Sequence, residues 1–250
     1  MKRGEPSAGE DETLDSFYHG RILVLQKKRG YRFSVDAPLL AGFVRTRPED
    51  RMLELGAGNG IISLLLSRKP FRRIVCLEVQ PGLADLARRN VTLNRLEDRI
   101  QVLEQDLRTF EAGERFDVIF SNPPYIKGPG GHLSRSEEKS IAKHEILGDI
   151  FDIMRTAGRL LEKDGRACFI FPIRRRADFG SALEKVGLRM RVLRFVHSRR
   201  GEPPRWLLAE CRFEAAGLKT LPPLWIYEES GEYTPEMKAI FAGEDRGPDY

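Results

Sequence analysis

Cysteine and histidine are scarce in this sequence. The chain has 250 residues, of which three are cysteines and four are histidines. Cys76, Cys168 and Cys211 lie far apart, and the first two sit in apolar, strand-like runs, so we expect small core residues there rather than ligands. The odd cysteine count and the lack of metal-ligand spacing predict no metal site and a reducing compartment.

Long apolar runs are also missing. None approaches the roughly 20 residues that a transmembrane helix needs, so we expect no contact with a membrane. Residues 1–16 are polar and lack the apolar segment of a secretory signal, which predicts a disordered leader. These features favour a cytoplasmic protein, and nothing in the sequence indicates an obligate protein partner.

Charge of both signs is plentiful, but positive charge is unevenly distributed. The formal net charge is +5, and arginines are concentrated at 174–176 and in "HSRRGEPPR" at 197–205. Such a segment is suited to contact with nucleic acid phosphates. An ordinary solvated surface has the same composition, so charge alone leaves both interpretations open.

Strand and helix patterns alternate from about residue 37 to residue 212. This alternation predicts an α/β fold with a mostly parallel sheet and helices on both faces. The last two strand patterns, 189–198 and 205–213, predict an antiparallel pair. We also expect a long helix over 145–165, and a mobile segment over 128–140 in a position suited to a substrate lid.

A glycine-rich loop, "LELGAGNGI", lies between a predicted strand and a predicted helix at 53–61. Glycines there allow a tight turn and close approach of a ligand to the backbone. Glu78 follows at the end of the next strand pattern, where a nucleotide-binding sheet places an acid on ribose hydroxyls. Glu54 precedes the loop, and Asp106 follows the third strand pattern. An acid at position 54 suits a cationic ligand better than a pyrophosphate.

Three acids at the carboxyl ends of successive strands make this region resemble the Rossmann-like S-adenosylmethionine-dependent methyltransferases. The resemblance implies S-adenosylmethionine as cofactor and a seven-stranded, mostly parallel sheet with an antiparallel edge strand. It also implies a single domain over 17–250, with a hairpin and helix (17–50), a core (51–213) and a C-terminal extension (214–250). The cofactor residues it implies are Phe33, Ser34, Asp36, Glu54, Gly56, Ala57, Gly58, Asn59, Gly60, Glu78, Val79, Asp106, Leu107 and Asn122.

"SNPPYI" at 121–126 ends the strand pattern "FDVIF", because consecutive prolines cannot continue a central strand. Asn122-Pro123-Pro124-Tyr125 resembles the catalytic motif of methyltransferases that modify planar amino groups. The lone pair of such a nitrogen is delocalised, and hydrogen bonds from its N–H groups concentrate electron density on it during attack. We expect Asn122 Oδ1 and the Pro123 carbonyl to accept those bonds, held in place by the prolines. Tyr125 is suited to stack on a flipped base.

Further stretches narrow the resemblance. These are "GYRFSVDAPLLAGF" at 30–43, "KSIAKHE" at 139–145, "FVHSRRGEPPRWLLAE" at 195–210 and "PLWIYEESGEYTPEMKAIF" at 223–241. With the motifs above, they resemble the bacterial tRNA1(Val) (adenine37-N6)-methyltransferase family. The resemblance implies a tRNA partner, N6-adenine methylation, and RNA contacts by His197, Arg199, Arg200 and Arg205.

Two residues keep a second interpretation. Asp36 is placed by the resemblance over the cofactor, but it also suits the N-cap of a helix that begins with Pro38 in its first turn. His144 could be taken for a general base, but the chemistry does not need one before attack, and a capping or packing role fits a histidine before a helix.

Other functions are weighed against the RNA adenine methyltransferase. A glutamine-N5 methyltransferase of a release factor carries a helical substrate domain upstream, whereas only about 50 residues precede the glycine loop here. A DNA adenine methyltransferase usually needs a separate target-recognition domain. A non-catalytic RNA-binding protein with the same fold would tolerate a broken motif, and both motifs are intact.

Overall fold

The computed structural model describes residues 8–29, 34–123, 148–214 and 216–244. The strands are β1 Glu12–Phe17, β2 Ile22–Lys27, β3 Arg51–Leu55, β4 Arg73–Glu78, β5 Ile100–Glu104, β6 Phe116–Ser121, β7 Leu161–Pro172, β8 Arg189–His197, β9 Pro204–Arg212, β10 Lys219–Thr220 and β11 Leu224–Trp225. The α-helices within these residues are α1 Asp36–Phe43, α2 Ile61–Leu66, α3 Pro81–Leu93, α4 Ile150–Leu160, α5 Arg176–Lys185 and α6 Pro235–Ala242.

The central sheet has the order β10-β8-β9-β7-β6-β3-β4-β5, and β11 also pairs with β8. Among the described strands of this sheet, β9 alone runs antiparallel to its neighbours β7 and β8. The α/β class with a mostly parallel sheet is therefore confirmed. The antiparallel strand lies between β7 and β8 rather than at the edge, and the two-residue strands β10 and β11 extend the sheet beyond β8. Because residues 207–211 of β9 are buried, pairing on both sides satisfies backbone groups that water cannot reach.

Hydrophobic side chains fill a layer on each face of the sheet. Neighbouring residues of a strand point to opposite faces, so Met52 joins one cluster with α1 and α2 while Leu53 joins the other with α4 and α5. Cys76, Cys168 and Cys211 are free and buried within these layers, as expected. In the described part of the chain, no helix combines the length and apolar character that crossing a membrane requires.

The N-terminal segment departs from the expected leader. Residues 12–16, predicted to be disordered, belong to β1, which pairs with β2 as an antiparallel hairpin. Glu12 is buried and forms ion pairs with Lys27 and with Arg89 of α3. These contacts hold β1 in place, so the ordered chain starts earlier than the sequence indicates. The division of the chain into three parts of one domain stays a prediction.

The hairpin is docked on α3 by two asparagines one helical turn apart. Asn90 Oδ1 accepts from Leu25 N at 2.6 Å and its Nδ2 donates to Leu25 O at 3.0 Å. Asn94 repeats the pattern on Leu23, at 2.9 and 2.7 Å. Residues four positions apart in a helix are separated by about 6 Å along its axis, and residues two positions apart in a strand by about 6.6 Å. The spacing of Asn90 and Asn94 therefore matches that of Leu25 and Leu23 on the outer edge of β2.

Helix α4 ends at Leu160, five residues before the Gly165 end that the sequence predicts. Leu161 already has extended backbone and pairs with Phe116 of β6, and Arg115 Nη1 donates to Leu161 O at 2.9 Å. Pairing with the sheet thus ends the helix although its apolar pattern continues. The predicted start at residue 145 lies outside the described residues.

Candidate active site

The glycine loop between β3 and α2 turns through residues in the left-handed region. Gly56, Gly58 and Gly60 have φ values of 72°, 59° and 80°, a conformation that side chains disfavour. Gly56 N and Ala57 N both donate to Leu77 O, at 3.0 and 2.9 Å, which ties the loop to the end of β4. Within the described part of the chain, a Cβ atom on Gly56 would meet no atom within 4 Å beyond its chain neighbours. Space is therefore open directly beside the loop backbone.

Glu78, the last residue of β4, faces this loop. Its Oε2 accepts from Gly58 N at 2.7 Å and its Oε1 accepts from Gln80 N at 2.9 Å. Burial raises the pKa of Glu78, and the two backbone N–H groups oppose that change. The carboxylate is thus fixed in orientation and keeps acceptor capacity for further hydroxyl donors.

Glu54 lies inside β3, one residue before its end, and is almost fully buried. Ser63 Oγ of α2 donates to its Oε2, and Cys76 Sγ lies 3.7 Å from the same oxygen. Among the described residues, Oε1 has no hydrogen-bond partner. Burial raises the pKa of Glu54 from 4.5 to about 7. A buried carboxylate with an unsatisfied oxygen beside an open loop suits a cationic ligand.

Asp106 lies two residues beyond β5 and is held differently from the other two acids. Arg108 donates to both of its carboxylate oxygens through Nε, at 3.0 and 2.9 Å. The Arg108 guanidinium lowers the pKa of Asp106. The three acids lie at or near the carboxyl ends of three successive parallel strands. Glu54 lies one residue before the end of β3, Glu78 is the last residue of β4, and Asp106 lies two residues beyond β5.

Asn122 follows the last residue of β6 and is joined to α1. Asn122 Nδ2 donates to Asp36 Oδ2 at 2.9 Å. Asp36 Oδ1 accepts from Ala37 N at 3.1 Å and also from Ser34 Oγ. Asp36 is the first residue of α1 rather than its N-cap, and its buried carboxylate bridges the helix and the strand end. Because Nδ2 and Oδ1 are the two arms of one planar amide, this bond determines where Oδ1 points.

Ser121 is a site residue that the sequence reasoning missed. Its hydroxyl donates to Leu55 O at 2.7 Å, which joins the end of β6 to the start of the glycine loop. A serine between an apolar strand and a proline pair was the available signal. Asn90 was missed as well: its Nδ2 donates to Asn59 O at 2.9 Å, inside the glycine loop.

The remaining predicted residues divide into described and undescribed ones. Ser34 is exposed beside Asp36, Val79 is half-buried after β4, and the Leu107 carbonyl accepts from Thr156 Oγ1 of α4 at 3.1 Å. Pro123 is buried next to Asn122. Phe33, Pro124, Tyr125, His144 and the segment 128–140 lie outside the described residues.

The arginine-rich segment 197–205 connects β8 to β9. Ser121 of β6 is level with Phe169 of β7, Phe169 with Ala209 of β9, and Ala209 with Leu193 of β8. Since β8 runs parallel to β6, the connection leaves the same edge of the sheet as Asn122. Arg199, Arg200 and Arg205 are exposed there, and His197 Nδ1 donates to Glu202 O at 2.7 Å across the turn.

In the part of the chain that the structure describes, no three His, Cys, Asp or Glu side chains are grouped so as to hold a metal ion. The absence of a metal site stays a prediction for the chain as a whole.

Comparison with known sequences gives a family match and many relatives. The sequence profile of the family "Methyltransferase small domain" matches residues 33–186. A protein of Phocaeicola vulgatus named tRNA1(Val) (adenine(37)-N6)-methyltransferase is 29% identical over 201 residues, 79% of this chain and 83% of that protein. A protein of Shewanella amazonensis with the same name is 30% identical over 181 residues, 72% of this chain and 77% of that protein.

Solved structures share the fold. A crystal structure of a predicted O-methyltransferase from Agrobacterium tumefaciens aligns with a TM-score of 0.66 at 24% identity, over 86% of this chain and 100% of that chain. TYW2 of M. jannaschii, in complex with AdoMet, aligns with a TM-score of 0.55 at 14% identity, over 83% of this chain and 89% of that chain. The Rossmann-like methyltransferase fold that the sequence predicts is confirmed.

Proposed function

Since the chain belongs to the methyltransferase small domain family, we propose that it transfers a methyl group from S-adenosylmethionine to the N6 amine of an adenosine in tRNA. The curated relatives that match over most of the chain carry names with that activity, at position 37 of tRNA1(Val). The same position in the same tRNA is the proposed target here, in the cytoplasm.

One observation carries the proposal: the Asn122 amide is oriented by Asp36 through the 2.9 Å bond from Nδ2. Because Asn122 is held through Nδ2, its Oδ1 atom points away from Asp36. An acceptor for the substrate amine needs that direction. The acceptor is thus set in place before substrate arrives, so no reorganisation is needed as charge develops.

The proposed chemistry needs acceptors and positioning rather than a strong base. S-adenosylmethionine, when bound, supplies an electrophilic methyl group. Asn122 Oδ1 and the Pro123 carbonyl would accept from the two N–H bonds of the adenine amine. The nitrogen lone pair would then form the new N–C bond as the C–S bond of the sulfonium breaks and S-adenosylhomocysteine leaves. Positive charge then builds on that nitrogen, and both acceptors stabilise it. The cationic product would lose its proton afterwards, and Pro124 and Tyr125 keep the roles that the sequence predicts, with Tyr125 proposed to stack on the base.

The cofactor is proposed to lie along the glycine loop. Glu78, fixed by two backbone N–H groups, would accept from the ribose hydroxyls. Glu54 would face positive charge, which its unpartnered buried oxygen fits. Asp106 would accept from the adenine amine of the cofactor. For this, one of the hydrogen bonds from Arg108 to Asp106 would have to break.

Methylation of bulk tRNA from a strain that lacks this protein tests the proposal. We expect the purified protein with S-adenosylmethionine to form N6-methyladenosine, detected by mass spectrometry of the nucleosides, at a single adenosine. Methyl transfer to glutamine of a release factor, with none to tRNA, would establish the alternative function instead.

Replacement of Glu78 by alanine should weaken binding of S-adenosylmethionine by about 1–3 kcal/mol, because hydrogen bonds to a charged acceptor are lost. Isothermal calorimetry measures the change. Glu104→Ala is the matched control. Glu104 lies opposite Glu78 in the register of the neighbouring strand β5, but Glu104 is exposed to solvent. Equal affinities for the two variants would remove Glu78 from the cofactor site.

Charge reversal at Arg199 and Arg200 should raise the dissociation constant for tRNA and reduce its salt dependence. Each lost phosphate contact lowers the slope of log K against log salt concentration by about one unit. The control pair is Arg68→Glu with Arg72→Glu, exposed residues near the opposite edge of the sheet, before β4. If both pairs change the slope equally, the segment 197–205 is only part of a generally basic surface.

A further inference from the structure

The C-terminal segment adds an aromatic residue to the edge of the sheet that carries Asn122. Trp225 of β11 pairs with His197 at the end of β8, and Tyr227 N donates to Ser198 O at 2.9 Å. Trp225 therefore lies beside the arginine-rich connection 197–205, although the two are distant in sequence. Trp225 lies on β11, four strand spacings from β6, about 19 Å. A strand of RNA with one base held at Asn122 would therefore meet Trp225 a few nucleotides away from that base.

Arg200 lies over the ring of this tryptophan. Its guanidinium carbon is 4.3 Å from the centroid of the Trp225 ring. The His197 ring lies on the same indole at 6.4 Å between centroids, with an interplanar angle of 37°. His197 is itself held by its bond to Glu202 O. Arg200 thus contacts the Trp225 ring, while the residue as a whole is exposed to solvent.

Arg200 also keeps its charge unneutralised by a side chain. Among the described residues it forms no ion pair, and the carboxylate nearest to it in sequence is that of Glu202. An exposed guanidinium plane on an aromatic ring is a surface on which a nucleobase stacks, and its N–H edge reaches a phosphate.

The neighbouring tyrosine pair is less suited to RNA. Tyr227 and Tyr233 stack on each other at 5.1 Å, and the loop between them carries Glu228, Glu229 and Glu232. Those carboxylates repel phosphate, and each ring already has a partner. The platform is therefore limited to Arg200 and Trp225.

We propose that Arg200 and Trp225 together receive an unpaired nucleobase of the RNA substrate, a few nucleotides from the adenosine that enters the active site. This inference rests on the proposed function, since it names how the same RNA is held. A base inside a duplex is stacked on its neighbours on both faces, so the platform selects single-stranded or looped RNA.

Arg200→Lys separates stacking from charge. It keeps the positive charge and removes the plane, so affinity for an RNA hairpin with an adenosine-containing loop should fall about tenfold, equivalent to about 1.4 kcal/mol. The salt slope should stay unchanged, because the number of cations is the same. Affinity for a fully base-paired RNA duplex with the same stem sequence and no loop should not fall. Arg72→Lys is the matched control, an exposed arginine near the opposite edge of the sheet for which no aromatic ring contact exists among the described residues.

Trp225 gives the second variant pair. Trp225→Phe keeps an aromatic face under Arg200 and should change the affinity for loop RNA less than about threefold. Trp225→Leu removes that face and should lower the affinity for loop RNA about as much as Arg200→Lys does. Thermal unfolding of each variant verifies that the fold is kept. If Trp225→Leu unfolds, Arg200→Lys still tests the inference, because Arg200 is exposed.

The outcomes separate this inference from the proposed function. If the wild-type protein methylates tRNA but Arg200→Lys binds loop RNA as well as Arg72→Lys does, the stacking platform is wrong and the proposed function stands. Equal losses on loop and duplex RNA would also overturn it, since they indicate phosphate contact alone. If the wild-type protein neither binds nor methylates RNA, both proposals fail.

Discussion

Replacement of Asn122 by alanine should lower the single-turnover rate of methyl transfer by about 10²–10³, the loss that removal of one preorganised hydrogen-bond partner of a developing charge causes. The contact strengthens as the amine becomes cationic, so the rate should fall more than the Michaelis constant rises. Rapid-quench measurement at saturating RNA and S-adenosylmethionine gives the rate. Thermal unfolding and cofactor binding should stay close to those of the wild type.

Asp36→Asn is the companion variant. Its amide can either donate to or accept from Asn122, so the orientation imposed by the 2.9 Å bond is lost without a change in size. We expect a smaller loss of rate in the same direction as for Asn122→Ala. A wild-type rate for Asn122→Ala would mean that the amide only ends the strand, and a wild-type rate for Asp36→Asn alone would mean that Asn122 is oriented by other contacts.

The free energy of unfolding should fall by about 3 kcal/mol between pH 4.5 and pH 7 because of Glu54 alone. Burial raises its pKa in the folded protein from 4.5 to about 7, and a pKa that differs by one between the folded and unfolded states corresponds to about 1.4 kcal/mol. Between these values the unfolded chain has released the proton while the folded protein still holds it, so stability decreases as pH rises. Above pH 7 both states are ionised and the loss is complete.

Glu54→Gln removes this titration. Denaturant unfolding of both proteins from pH 4 to pH 8, without cofactor, should show the wild type losing about 3 kcal/mol relative to the variant. Glu104→Gln, at an exposed position of β5, should leave the pH dependence unchanged. A difference between wild type and Glu54→Gln that stays constant over this range would mean that the pKa of Glu54 is the same in the folded and unfolded protein. In that case contacts in the folded protein offset the effect of burial on this carboxyl group.

The sequence alone determined the fold class and the places of the residues that we propose for the cofactor site. Strand and helix periods are local properties, and a loop with three glycines between a strand and a helix can be identified without knowledge of what surrounds it. The parallel order of β3, β4 and β5 then follows from the alternation of elements, so the acids 54, 78 and 106 could be assigned to one edge of the sheet in advance.

Local patterns misled where a distant contact outweighed them. The apolar period of α4 continues past Leu160, but pairing of Leu161 with β6 ends the helix there. Residues 12–16 are polar enough to predict disorder, yet Arg89 of α3 and Lys27 of β2 hold Glu12. Neither partner lies within the short window that a periodicity argument considers.

Only the tertiary structure decided how the individual groups are oriented and paired. Asp36 and Asn122 are 86 residues apart, and their bond determines the direction of the amide that the chemistry depends on. Trp225 meets Arg200 because β11 adds to β8, and Glu54 acquires its raised pKa because two hydrophobic layers exclude water from the sheet. Hydrogen-bond direction and desolvation depend on atoms that folding brings together from far along the chain, and no local pattern contains them.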